Sequence, residues 1–111
     1  MIDTDAEIAR MKRLFPKVEL RQDGGKPLVF IPSFLVQTRG KQVIRDILLW
    51  PYDRDGYSSR MFVSEKIDAV NAKNWNAFSI QGRTWFACSW SGVSSALPWV
   101  EILANHLRAF Q

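Results

Sequence analysis

The sequence predicts an α+β domain made of an N-terminal helix, an antiparallel β-meander of three to four strands, a long loop carrying the single cysteine, and a C-terminal helix. Three observations carry this prediction. Apolar residues recur at helical spacing near the two ends of the chain. Alternating or β-rich runs, separated by short turns, fill the stretch between them. Those strands are grouped together instead of alternating with helices, which argues against βαβ repeats.

The first element opens with Thr4 and Glu7 in capping-box spacing. Ile8, Met11 and Phe15 then share one helical face, and Pro16 ends the helix. Val18-Glu19-Leu20-Arg21 alternates like a half-buried strand, and Gly24-Gly25 makes a turn. Leu28 to Ile31 is β-rich, Pro32-Ser33 interrupts it as a bulge or an edge would, and Phe34-Leu35-Val36 resumes it. Thr38-Arg39-Gly40-Lys41 is the next turn and Val43 to Trp50 the next strand, ended by Pro51. Tyr52 to Tyr57 reads as a polar loop and Arg60 to Val63 as a short strand. Ser64 to Ser79 is less regular, Thr84 to Cys88 is a short apolar run, and Ser89 to Ser95 is a loop of small residues. Pro98 suits a first helical turn, after which Val100, Leu103, Leu107 and Phe110 form a stripe flanked by Trp99, Ile102 and His106.

The 111 residues, 47% hydrophobic and 23% charged, fit one globular domain over 1–111. One Cys and one His exclude an intrachain disulfide and a Cys/His zinc cage, and no metal or other cofactor is expected. A lone Cys and an acidic start suit a cytoplasmic protein better than a secreted one. The longest clean apolar runs, Leu28 to Ile31, Ile47 to Trp50 and Trp85 to Cys88, fall far short of the roughly 18 residues of a membrane span. The net charge of +4 sits mostly in the first half: residues 1–60 hold 11 bases and 8 acids, residues 61–111 hold 4 and 3. That mild excess, with no nucleic-acid-binding motif, reads as a solvated face; neither nucleic acid nor membrane is an expected partner.

Several segments together resemble the ubiquitin-conjugating-enzyme family, in a divergent, bacterial-type branch. Leu48-Leu49-Trp50-Pro51, then Gly56-Tyr57, then Arg60 to Ile67 looks like that family's aromatic-Pro turn, Tyr loop and following strand. Cys88 falls in the matching region, ahead of a helix beginning near Ala96-Leu97-Pro98-Trp99. The family's His-Pro-Asn tripeptide is absent, and Ser58 and Ser59 stand where prolines usually follow the Tyr. The resemblance implies a transferase that carries a ubiquitin-like modifier as a thioester on Cys88, loads from an adenylating (activating) enzyme and passes the modifier to a protein target. Bacterial relatives of this kind act in modification pathways often linked to phage defence. It further implies an amide oxyanion donor, for which Asn76 or Asn74 is the upstream candidate, and a docking site for the activating enzyme on Arg10, Lys12 and Arg13 of the first helix.

Each assignment has a plainer counterpart. Cys88 lies between Phe86 and Trp90 in an apolar run, and free cysteines are among the most buried residues. If it is structural, the chain is a catalytically inactive binding or adaptor domain; an unrelated small α+β domain is a third reading. Asn71, Asn74 and Asn76 suit turns, and Asp53 and Asp55 around Arg54 suit a solvated turn better than a metal loop. His106, beside the apolar stripe, suits packing, and the serines from Ser89 to Ser95 lack a nucleophile elbow.

Overall fold

A computed structural model describes residues 3–111. In chain order the elements are α1 (Thr4–Leu14), β1 (Glu19–Asp23), β2 (Lys26–Thr38), β3 (Lys41–Trp50), β4 (Arg60–Val63), β5 (Lys73–Ile80), β6 (Arg83–Ser89) and α2 (Trp99–Leu107), closed by a 3-10 turn over Arg108–Phe110. All strand pairs are antiparallel, in the order β1-β2-β3-β4-β6-β5.

The sheet therefore has six strands, not three or four, and Cys88 lies within β6 instead of on a long loop. The arrangement expected from the resemblance, with the cysteine on an extended segment after the meander, is not the one this chain adopts. The reason is a second hairpin in the stretch that reads as irregular. Gln81 and Gly82 both take positive φ, the geometry of a tight hairpin turn, and join β5 to β6. A bulge between Lys73 and Asn76, with Asn74 at φ 57°, breaks the alternation that marks β5 as a strand.

The sheet buries both faces. Val29, Ile47, Leu49 and Val63 point toward the helices, where Met11, Trp99, Ile102 and Phe110 meet them. Leu28, Leu48, Phe62, Ile80, Trp85 and Ala87 form a second apolar layer on the other face. It exists because the sheet curls. β6 joins β4 at one paired position, Val63 with Phe86, and the β5–β6 hairpin swings back across the outer face. Its tip reaches β1 and β3: Gln81 Nε2 donates to the Gln22 carbonyl at 2.7 Å, and Arg83 pairs with Asp46 at 2.8 Å. Burial on both sides explains the unbroken apolar runs in β2, β3 and β4, since a one-sided sheet would alternate.

Both helices differ in detail from the sequence expectation. Asp3, not Thr4, caps α1, accepting from the Ala6 N–H at 3.2 Å. Glu7 does not complete a capping box. Its carboxylate accepts the Trp99 N–H at 2.7 Å and pairs with Arg10. It thus caps α2 from outside, where Pro98, at the N-cap position, has no side chain able to do so. The buried face of α2 runs through Trp99, Ile102, Leu103 and His106, while Val100 and Leu107 are only half-buried. The helix is turned from the expected stripe because the large Trp99 ring occupies the centre of the core, with no exposed surface. Glu7→Ala removes a buried acceptor and strands the first N–H of α2. Urea titration should show a loss of about 2 kcal/mol, with Glu7→Gln, which keeps an acceptor oxygen, losing less than half as much.

Candidate functional site

The structure brings the residues singled out in the sequence to two places. The first surrounds Cys88. Alternation along β6 turns Phe86 and Cys88 toward the helices and Trp85 and Ala87 toward the outer layer. Cys88 is 9% exposed. Burial pushes its thiol up, and a backbone hydrogen bond and the nearby Arg60 charge only partly oppose this. The space between Arg60, Cys88, Trp75, Trp90 and His106 is about 10 Å³, which is room for one water and no larger group.

Asn74 and Asn76 do lie across from this segment. Asn76 pairs with Ala87, and the bulge holding Asn74 and Trp75 sits opposite Cys88. Both asparagines are exposed, and the Asn76 amide donates to the Asn74 carbonyl at 3.2 Å, a use internal to the bulge. Trp75 is the residue that turns inward, stacking on Phe110 with ring centres 6.1 Å apart.

Beside the thiol, Ser59 and His106 are 2.9 Å apart and both buried. The Ser59 hydroxyl donates to the Val93 carbonyl at 2.9 Å. Its oxygen must therefore accept from His106 Nε2–H, which places a proton on Nε2 and leaves no basic nitrogen facing the hydroxyl. Burial, reinforced by the Arg60 charge, lowers His106 to about 4. These bonds tie the start of β4 to the loop after β6 and to α2. Arg60 lies with its guanidinium 4.0 Å from the centre of the Tyr57 ring, and among the described residues no carboxylate pairs with it. Asp53 and Asp55 stay on an exposed turn closed by reciprocal Arg54–Tyr57 backbone bonds, both 2.9 Å. Among the described residues no three His, Cys, Asp or Glu side chains gather as metal ligands, and no helix is long and apolar enough to cross a membrane.

The second place was not singled out in the sequence. An open apolar groove of about 510 Å³ runs between the end of α1 and the middle of β2, lined chiefly by Leu14, Phe15, Val18, Ile31, Phe34 and Leu35. Phe15 and Phe34 meet edge to face at 5.4 Å and form part of its lining. Leu14 is 58% exposed and Leu35 is 47% exposed. The signal was present but divided. Leu14 falls off the Ile8–Met11–Phe15 face, and the Pro32-Ser33 bulge reverses the phase of β2 so that Leu35 points away from the main core. Arg10, Lys12 and Arg13 lie on exposed positions of the same helix; Arg10 is engaged by Glu7, whereas Lys12 and Arg13 have no carboxylate partner among the described residues. Lys17 lines the groove.

Comparisons of the chain with protein-family models, curated proteins and solved structures found no match.

Proposed function

We propose that this chain is a non-catalytic protein-binding domain that acts as an adaptor, holding a partner in the groove between α1 and β2. The observation that carries this reading is the groove itself: an open apolar surface with Leu14 and Leu35 exposed, built on a helix and a strand, with Lys17 in its lining. Exposed apolar side chains of this size on rigid elements are typical of recognition surfaces, and basic residues beside them select the partner. The burial of Cys88 supports the same choice over thioester transfer. A carrier thiol must meet both an incoming and an outgoing protein, and this one faces the core with its acidity reduced.

The test is the alkylation rate of Cys88 by iodoacetamide in the folded protein against the same protein in denaturant. A core thiol reacts only through local opening, and slowing by a factor of about 100 or more is expected. Near-equal rates would overturn the non-catalytic reading by showing an accessible thiol on Cys88.

A further inference from the structure

β2 is far longer than its neighbour on one side. β1 pairs with it only from Lys26 to Phe30, so on that side the stretch from Ile31 onward has no partner strand among the described residues. No backbone hydrogen bond joins this stretch to any element other than β3, among the described residues. The Arg39-Gly40 turn, with φ of 47° and 77°, makes Thr38 and Lys41 the hydrogen-bonded pair that closes the β2–β3 hairpin. Counting back by twos, Val36 and Phe34 also bond β3, which leaves the N–H and C=O of Leu35 and Gln37 pointing outward. Ser33, in the bulge, is already engaged through its N–H, which donates to Asp46 at 2.8 Å. The free edge therefore begins after the bulge, where the apolar groove lies alongside it.

An open edge of uncharged, β-prone residues is a template for another strand. Charge decides which strand. From Gly24 to Arg45 the sequence contains no acid, while Lys26, Arg39, Lys41 and Arg45 are basic. At its other end Lys17 lines the groove, and Lys12 and Arg13 lie exposed in the last turn of α1, shortly before it in sequence. Of the nearby acids, Asp46 is held by the Ser33 N–H and by Arg83. Glu19 pairs with Arg21, and Asp68, which meets Thr38 through its backbone carbonyl, shares its cleft with Arg39, Lys41, Arg45 and Lys66. A second copy of this chain would bring like charges together at both ends of the pairing.

Resting on the binding-domain reading, we propose that the edge of β2 from Phe34 to Thr38 accepts an extended, acidic-flanked peptide of a partner protein as an additional strand. The Leu35 and Gln37 backbone groups supply main-chain bonds. The groove takes alternate apolar side chains, and the cations at either end hold the acidic flanks.

The probe is a synthetic peptide of alternating valine and threonine with two glutamates at each end, followed by fluorescence anisotropy and amide hydrogen exchange. Binding is expected to protect the Leu35 and Gln37 amides. Methylating alternate backbone nitrogens of the peptide, in one of the two phases, should weaken binding about tenfold or more. Replacing the flanking glutamates by lysines should weaken it at least as much at low salt. In the protein, Gln37→Pro removes an outward N–H at an exposed position and should reproduce the methylation effect. Absence of binding, unchanged binding after methylation in both phases, equal binding of the lysine-flanked peptide, or no protection at Leu35 and Gln37 would each overturn the strand proposal. So would a dimer seen by sedimentation of the protein alone and abolished by Gln37→Pro. The Cys88 labelling rate, read separately, decides the non-catalytic reading whatever the peptide does.

Discussion

Trp85→Ala is expected to cost about 4 kcal/mol of folding stability, the largest loss from any single substitution considered for this chain. Trp85 is 1% exposed in the outer layer, with the Phe30 ring edge-on at 6.2 Å and the Arg83 guanidinium 4.5 Å from its own ring centre. Truncation would open a cavity against Phe30, Leu48 and Phe62, side chains fixed on three different strands and unable to collapse together. Domains of this size have about 5–15 kcal/mol in total, so the variant would be marginal, with a melting temperature lower by about 15 °C or more. Urea denaturation of Trp85→Ala beside Ile44→Ala, on the same face of the sheet but 63% exposed, isolates the effect. If the outer face were merely a solvated side of the sheet, both substitutions would cost under about 1 kcal/mol.

Acid should weaken the fold in a window that belongs to His106. The neutral imidazole donates to Ser59, and in the folded state it takes up a proton only near pH 4, against an ordinary value of 6.5. Between those values the unfolded chain binds a proton that the folded chain refuses, so stability falls as pH falls from about 6.5 to about 4. The loss amounts to about 3 kcal/mol once both states are protonated. His106 is the only histidine in the sequence, which keeps this window nearly free of other groups. Asp46 acts lower. Burial pushes its carboxyl up, but the Ser33 N–H and the Arg83 guanidinium together hold it below its ordinary 3.8, so its share of stability is lost only as pH falls below that value. Denaturation series at several pH values should show the slope in the wild type. It should vanish in His106→Gln, which cannot titrate but keeps an N–H donor for Ser59. An equal slope in both proteins would assign the acid sensitivity elsewhere.

The sequence was informative where local chemistry decides and silent where a long-range fold-back does. Pro16, the Gly24-Gly25 turn, the Pro32-Ser33 interruption and the Arg39-Gly40 turn each act on adjacent residues, and each marks a real boundary or bulge. The opposite faces of Phe86–Cys88 and Trp85–Ala87 also follow from alternation alone. The β5–β6 hairpin was missed because the Asn74 bulge and the exposed polar residues of β5 mask its periodicity. The unbroken runs at Leu28–Ile31 and Ile47–Trp50 carried a further message. Such runs signal a sheet buried on both faces, which neither their reading as strands nor their shortness against a membrane span brings out. At the site, the burial of Cys88 agrees with the plainer of its two sequence readings. The groove needed the phase change at the bulge, which no count of apolar residues reveals.

The hydrogen bond from Trp99 to Glu7 also has a bearing on the order in which the molecule assembles. It spans 92 positions of a 111-residue chain. During synthesis α1 emerges ahead of all six strands and of the helix it caps, and an isolated helix of 11 residues has little stability of its own. α1 is therefore made before the hairpins yet secured through this bond only after they have closed through contacts much nearer in sequence.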